Sequence, residues 1–213
     1  MRKGMFITFE GVDGSGKSTQ ARLLVEWLRG RGLETILVRE PGGTPLGEKI
    51  RELLLSHKHV PNERAEVLLY MASRAQLTEK IVIPTLKKKA IVVADRYADS
   101  SLVYQGMARK LGAEIVQKLN LFATYGVKPD ITFLIDVPIY TALERLNSKK
   151  KDRLENEGID FLERVAIAYK KLANEEPERF KIIDGCRTAE EIHLEIKAIV
   201  ESALKSRGML REE

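Results

Sequence analysis

The chain has 213 residues, of which 44% are hydrophobic, and this length and composition suit one compact domain with a substantial core. The 36 Lys and Arg residues exceed the 31 Asp and Glu residues, and the formal charge of +5 favours anionic partners. The basic run at 149–153 has no interleaved aromatic residues, and no apolar stretch approaches the roughly 20 residues that span a bilayer. We therefore expect a cytoplasmic protein of one domain, residues 1–213, with neither a nucleic-acid nor a membrane partner.

Five short apolar runs, separated by helical patterns, are predicted to be strands. In chain order they are residues 6–9, 35–38, 90–94, 131–135 and 180–183. Because these runs are apolar on both faces, they indicate a parallel sheet that helices cover on both sides. The last helix has the clearest pattern, with Ile192, Ile196 and Ile199 at helical spacing after a capping-box pair, Thr188 and Glu191. The alternation predicts an α/β fold without an internal domain boundary.

Residues 11–18 match the Walker A pattern and lie between the first predicted strand and the first predicted helix. Glycines allow successive backbone N–H groups to turn towards one anion, and the dipole of the following helix adds to the attraction. Lys17 can then reach the β and γ phosphates of a nucleoside triphosphate, and Ser18 can place its hydroxyl on Mg²⁺. The predicted nucleotide-binding residues here are Gly11, Val12, Asp13, Gly14, Ser15, Gly16, Lys17, Ser18 and Thr19. The loop alone does not predict the reaction, since switches, motors, transporters and kinases share it.

Features after the loop favour a kinase. The sequence has no guanine-reading Asn-Lys-x-Asp segment, which argues against a GTPase switch. The third strand runs into Asp95 and Arg96 at the carboxyl edge of the sheet; Asp95 can hold Mg²⁺ through water, and Arg96 can bind a phosphate. The three histidines, His57, His59 and His193, lie in no candidate site. A phosphate monoester, with a second pKa of about 6, needs no general base, so the acceptor is predicted to be a nucleoside monophosphate.

Four segments taken together resemble thymidylate kinases: residues 9–19, 39–44, 95–97 and 100–106. The resemblance extends from about residue 7 to residue 204, and block 39–44 is more specific than the phosphate loop. It implies a P-loop nucleoside monophosphate kinase fold, with a five-stranded parallel sheet and helices on both faces. It also implies transfer of the γ-phosphoryl group of ATP to dTMP, with Mg²⁺ as cofactor, and a homodimer. The alternatives are a kinase of another monophosphate or of a deoxynucleoside, and a non-catalytic nucleotide-binding module.

The same resemblance implies an acceptor site that shares the phosphate loop. Asp13 would accept a hydrogen bond from the 3′-hydroxyl of dTMP, and Arg96 would hold the acceptor phosphate. Arg51 would line the same pocket, beside Glu40 and Pro41 from block 39–44.

Five further residues would recognise the nucleoside. Tyr70 would stack on thymine, where many relatives have Phe, and Arg74 would donate to O4 of the base. Ser101 and Gln105 match positions that meet the polar edge of the base, and Tyr104 matches an aromatic residue that crowds the 2′ position of the sugar.

The polar stretch 147–158 is predicted to be a lid over the phosphates. In bacterial-type members a lid arginine assists transfer when the phosphate loop has glycine, and this chain combines Gly14 with Arg153. For the lid lysines, Lys149, Lys150 and Lys151, a solvated charged run is favoured. Arg145 matches a position near adenine, and turn 184–187 is expected beside that base. The predicted catalytic residues are Lys17, Asp95, Arg96 and Arg153.

Overall fold

The computed structural model describes residues 4–58, 60–146 and 158–210, and its strands form an all-parallel sheet in the order β2-β3-β1-β4-β5. The strands are β1 (Met5–Glu10), β2 (Thr35–Arg39), β3 (Ile91–Asp95), β4 (Ile131–Asp136) and β5 (Phe180–Asp184). All five predicted strands are confirmed, with ends that differ from the predictions by about one residue, the usual uncertainty of such boundaries.

Helices connect the strands. They are α1 (Lys17–Gly30), α2 (Pro45–Leu55), α3 (Glu63–Leu77), α4 (Ile83–Lys87), α5 (Ala98–Ser101), α6 (Ala113–Ala123), α7 (Ile139–Leu146), α8 (Ile159–Glu175) and α9 (Ala189–Ser206). Two π-helical turns, Thr78–Val82 and Leu102–Ala108, follow α3 and α5. The predicted capping box is present at the start of α9, where Thr188 and Glu191 exchange hydrogen bonds. None of the helices in the described ranges has the length and low polarity that crossing a bilayer requires.

Helices cover both faces of the sheet, as predicted. Alternate residues of β1 point to opposite faces, and the strand is buried along its whole length. One face packs against α1 and α9; its buried residues include Ile7, Phe9, Leu24 and Ile196. The opposite face packs against α8 in one cluster and against the segment from α3 to α4 in another; its buried residues include Phe6, Leu77, Leu134 and Val165. Burial on both faces explains the continuous apolar runs in the sequence.

The central position of β1 brings two functional segments together. β1 pairs with β3 so that Phe9 lies opposite Asp95, and the Arg96 N–H donates to the Phe9 carbonyl at 3.0 Å. The loop that follows β1 and the residues that follow β3 therefore meet at the carboxyl edge of the sheet, where open α/β folds bind ligands.

Candidate active site

The phosphate loop joins β1 to α1. Gly14 has a φ of +81°, and a Cβ atom there would lie 2.2 Å from the carbonyl oxygen of Ala142, so the position requires glycine. The Lys17 ammonium folds back over the loop and donates to the Val12 carbonyl at 2.8 Å. The buried Ser15 hydroxyl has no hydrogen-bond partner among the described residues. The loop thus offers polar groups, ahead of a helix N-terminus, for a phosphate to use.

A cleft of about 1030 Å³ opens beside the phosphate loop. Most of the predicted ATP-binding residues line it: Asp13, Gly14, Gly16, Lys17, Ser18, Thr19 and Arg145. Gly11, Val12 and Ser15 belong to the loop but do not line the cleft. Arg145 donates to the Gly185 carbonyl at 3.0 Å and to the Ser15 carbonyl at 3.5 Å, so it links the predicted adenine-side turn to the loop. We call this space the donor cleft.

Two side chains with oxygen atoms that a metal ion could use, Ser18 and Asp95, meet in the donor cleft. The Ser18 hydroxyl donates to a carboxylate oxygen of Asp95 at 2.5 Å, and both side chains line the cleft. Protein-bound Mg²⁺ commonly uses one or two protein oxygens, together with substrate phosphates and water. The Ser18 and Asp95 pair fits that pattern, so these residues could hold the ion beside a bound triphosphate.

Arg96 lies between the donor cleft and a second pocket. Its φ of +72° is in the left-handed region, a strain of about 1–3 kcal/mol that is typical of functional sites. Its guanidinium pairs with Asp13 at 2.5 Å, donates to the Ser100 hydroxyl at 3.1 Å and lies over the Tyr104 ring at 5.3 Å. The backbone of Arg96 and its side-chain partners therefore fix where the guanidinium points.

The charges in this region shift two pKa values. Burial opposes ionisation of Asp13, but the positive charges of Arg96, Lys17 and Arg51 outweigh it and lower the pKa of Asp13. Burial, together with the positive charge of Arg96, lowers the pKa of Lys17 to about 8. Asp13 is therefore an anion at neutral pH, while Lys17 loses its proton more easily than a surface lysine.

Glu10, at the end of β1, is a buried acid to which the sequence analysis assigned no role. Its carboxylate accepts hydrogen bonds from the Tyr97 N–H at 2.8 Å, the Ser100 hydroxyl at 2.6 Å and the Tyr169 hydroxyl at 2.8 Å. Burial, together with the negative charge of Asp99, raises the pKa of Glu10 to about 7. Both hydroxyls also contact the Arg96 guanidinium, so Glu10 positions Arg96 through them.

The second pocket, which we call the acceptor pocket, is a narrow cavity of about 80 Å³. Nine of the ten predicted substrate-binding residues line it: Asp13, Glu40, Pro41, Arg51, Tyr70, Arg96, Ser101, Tyr104 and Gln105. Arg51 donates to the Pro41 carbonyl at 3.0 Å, which ties α2 to the pocket wall. The buried Ser101 hydroxyl has no hydrogen-bond partner among the described residues, so a ligand can use it.

Arg74, the tenth residue, lies outside the lining of the acceptor pocket and is fully buried. Its guanidinium binds Glu40 through Nε at 2.7 Å and through a terminal nitrogen at 2.5 Å. The remaining N–H groups bind Asn120 at 2.6 Å, the Tyr97 carbonyl at 3.1 Å and the Met71 sulfur at 3.6 Å. A direct bond to the base would require exchange of one of these partners, so the contact with O4 stays a prediction. Asn120, which no motif marks, is part of this support.

The predicted lid lies outside the described residues, apart from Gly158. Arg153, Lys149, Lys150 and Lys151 therefore stay predictions. The elements on either side are as expected, since α7 ends at Leu146 and α8 begins directly after Gly158.

Comparison with known proteins agrees with this geometry. The family model for thymidylate kinase matches residues 9–196. The thymidylate kinase of Fervidobacterium nodosum is 54% identical over 200 residues, 94% of this chain and 100% of that protein. The Thermosipho melanesiensis enzyme of the same name is 52% identical over 94% of this chain and 99% of its own length. The crystal structure of thymidylate kinase from Ehrlichia chaffeensis superposes with a TM-score of 0.76 at 34% identity, covering 92% of this chain and 98% of that one. The chain belongs to the thymidylate kinase family.

Proposed function

We propose that the protein transfers the γ-phosphoryl group of ATP to the 5′-phosphate of dTMP, giving dTDP and ADP for dTTP synthesis. The observation that carries this proposal is a shared wall: Asp13, Glu40, Arg51 and Arg96 line both the donor cleft and the acceptor pocket. Because these four residues border both spaces, the donor cleft and the acceptor pocket adjoin, and substrates bound in them would face one another. Alignment of reactants accounts for a large part of catalysis in phosphoryl transfer, where the protein does little covalent chemistry.

On the donor side, the phosphate loop would hold the triphosphate, with the Lys17 ammonium exchanging the Val12 carbonyl for phosphate oxygens. Ser18 and Asp95 would hold Mg²⁺, which would supply positive charge beside the triphosphate. Arg145 supports the turn on which adenine would lie. Fixed cations aimed at the transferring group stabilise charge with little reorganisation.

On the acceptor side, Arg96 would bind the phosphate of dTMP. Burial disfavours its charge, but the Asp13 carboxylate outweighs this effect and raises the pKa of Arg96, so the guanidinium stays charged. The acceptor phosphate, with a second pKa of about 6, is largely a dianion at neutral pH and attacks without a general base. Asp13, freed from part of its pairing with Arg96, would accept a hydrogen bond from the 3′-hydroxyl.

The remaining pocket residues would select the nucleoside. Tyr70 and Tyr104 both line the pocket, and Tyr104 contacts Arg96 through its ring. Tyr70 would supply a ring face for thymine, and Tyr104 would narrow the space beside the 2′ carbon of the sugar. Ser101 and Gln105 would face the polar edge of the base. Arg74 would reach O4 by exchanging a partner, or would act indirectly by holding Glu40 in the wall.

The lid arginine, Arg153, would meet the charge that develops on the transferring phosphoryl group. The close approach of Ala142 to Gly14 leaves no room for a side chain at that position of the phosphate loop, so position 14 cannot carry this cation. A cation from residues 147–158 would supply it instead.

We also propose that the single domain assembles as a homodimer in the cytoplasm. The adjoining helices α3 and α6 expose large apolar side chains: Leu68 is 55% exposed, Ile115 is 61% and Phe122 is 85%. Ile115 and Phe122 are seven residues apart and so share one face of α6. Light scattering should give twice the chain mass, and Phe122→Glu should lower it if this face forms the contact.

The test of the reaction is an ADP-release assay with ATP and Mg²⁺, run over a panel of nucleoside monophosphates. We expect ADP release that depends on dTMP and is fastest with dTMP. ADP release at a rate that does not depend on the monophosphate, or that is as fast with dCMP or dGMP as with dTMP, would contradict the proposal. Lys17→Ala is the control, because it should abolish turnover with every acceptor.

A further inference from the structure

Glu66, on α3 behind the acceptor pocket, is a buried acid that lies outside the proposed reaction. Its side chain is 2% exposed, and it lies directly behind Gln105, a residue that lines the pocket. The Gln105 amide nitrogen donates to a Glu66 carboxylate oxygen at 2.8 Å. We propose that Glu66 is a specificity-determining residue that selects thymine over cytosine by holding the Gln105 amide in one orientation; this inference rests on the proposed function.

The orientation follows from what a carboxylate can do. An ionised carboxylate only accepts hydrogen bonds, so it binds the NH₂ group of Gln105 and repels the carbonyl oxygen. The amide can present only one of its two ends to Glu66. The carbonyl oxygen of Gln105 is therefore the end that faces the ligand, and the pocket wall offers an acceptor at this point.

Glu66 is itself held in place. Arg109 Nε donates to the same carboxylate oxygen at 3.0 Å, and the Arg109 guanidinium lies 4.9 Å from the centre of the Phe161 ring. Charge-assisted hydrogen bonds of this kind are roughly twice as strong as neutral ones. Two donors, Arg109 Nε and the Gln105 NH₂ group, thus converge on one Glu66 oxygen, and this arrangement prevents the Gln105 amide from rotating by half a turn.

The pyrimidine bases differ at the position that such an acceptor would meet. Thymine and uracil carry N3–H, a donor, which can bind the Gln105 carbonyl. Cytosine carries an unprotonated N3, an acceptor, which would face the carbonyl with no hydrogen between them. A buried site built around one hydrogen bond rejects an analogue that leaves its groups unpaired. Glu66 thus acts on the base through Gln105 without touching it.

The decisive variant is Glu66→Gln, which keeps the shape of the side chain but can donate as well as accept. The neutral amide oxygen holds the Gln105 NH₂ group less strongly than the carboxylate does, so Gln105 can rotate and offer its NH₂ group to cytosine. We expect the ratio of kcat/KM for dTMP to that for dCMP to fall by about tenfold. The ratio for dTMP to dUMP should stay within about twofold, because both bases carry N3–H and differ only in the methyl group. A merely structural role would lower all three efficiencies together.

A second variant keeps the test decisive if Glu66→Gln folds poorly, which thermal unfolding would reveal. In the exchange Glu66→Gln with Gln105→Glu, the carboxylate stands in the pocket wall and can only accept. The exchanged protein should recover the preference for dTMP over dCMP. In a Gln105→Leu background, Glu66→Gln should leave that ratio unchanged, since no amide remains to orient.

Three results would overturn the inference. They are an unchanged ratio of kcat/KM for dTMP to dCMP in Glu66→Gln, an exchanged protein that favours dCMP over dTMP, and a fall in the ratio for dTMP to dUMP that equals the fall in the ratio for dTMP to dCMP. Absence of dTMP-dependent turnover in the parent protein would instead contradict the proposed function itself.

Discussion

The donor cleft and the acceptor pocket share one wall but are built differently. The donor cleft is wide, about 1030 Å³, and its proposed phosphate site lies on one continuous loop. The acceptor pocket is about 80 Å³ and takes its lining side chains from several separate segments. Behind it lie buried ionic pairs, among them Arg74 with Glu40 and Arg109 with Glu66. The proposed triphosphate site therefore depends on local backbone geometry, whereas the proposed acceptor site depends on a network that folding must assemble.

The largest expected effect is on the donor side, where Arg153→Ala should lower kcat by about 10³- to 10⁵-fold with little change in KM. An arginine that meets charge only in the transition state acts on kcat alone. Arg153→Lys should recover part of the activity, since lysine keeps the charge but not the planar fork. Steady-state kinetics with ATP and dTMP varied separately measures this, beside Lys150→Ala as the matched control. A kcat within about threefold of the parent would move the role to Arg145 or to a lid lysine.

The ionic pairs behind the acceptor pocket should matter for stability, unlike those at the surface. The Arg74 and Glu40 side chains are only 1% and 2% exposed, and Arg74→Ala removes the cation that opposes the rise in the pKa of Glu40 caused by burial. The variant leaves the Glu40 carboxyl buried without its partner and should cost about 3–5 kcal/mol. Arg39→Ala removes a pair with Glu48 whose side chains are 54% and 41% exposed, and should cost about 0–1 kcal/mol. Urea unfolding at pH 7 compares the two. Equal losses would mean that the buried pair stabilises the fold no more than the surface pair does.

Base choice sharpens the comparison at a smaller scale. The thymine methyl group offers about 1–3 kcal/mol of discrimination, so kcat/KM for dTMP should exceed that for dUMP by roughly tenfold to a few hundredfold.

Sugar choice should depend on Tyr104, so Tyr104→Ala should narrow the preference for dTMP over its ribose analogue. Competition assays with these substrates measure both preferences. A Tyr104→Ala variant that discriminates against the ribose analogue as strongly as the parent protein does would refute the steric role of Tyr104.

The smallest effect is a pH dependence of ATP binding in the donor cleft. Because the pKa of Lys17 is lowered to about 8, the ammonium is charged below pH 8 and loses its proton above it. Triphosphate binding above pH 8 must restore that proton, so the affinity for ATP should fall by about tenfold between pH 7 and pH 9. Calorimetry in two buffers at pH 9 should detect proton uptake. Lys17→Arg, which stays charged, should show neither effect.

The sequence predicted the strands and the phosphate loop because both are local: apolar runs report burial, and the loop is continuous. The acceptor residues came from resemblance, and nine of ten do line one pocket. The residues that hold the acceptor residues in place could not be predicted from the sequence. Tyr169, for example, contacts Arg96 but lies 73 residues away from it, and no periodicity links the two. Nor does helical spacing say whether Arg74, one turn beyond Tyr70, lies in the pocket or beneath it. Glu10 leaves a weak local signal, because it is an acid at the end of a buried strand, as are Asp95 and Asp136.

The claim that one wall separates two differently built sites is tested most directly by binding calorimetry on Arg96→Lys and Lys17→Met, each titrated with ATP and with dTMP. Loss of the guanidinium fork should weaken dTMP binding by about tenfold or more and change ATP binding little. Loss of the lysine should do the reverse. An Arg96→Lys variant that loses ATP affinity as much as dTMP affinity would contradict the assignment of Arg96 to the acceptor phosphate.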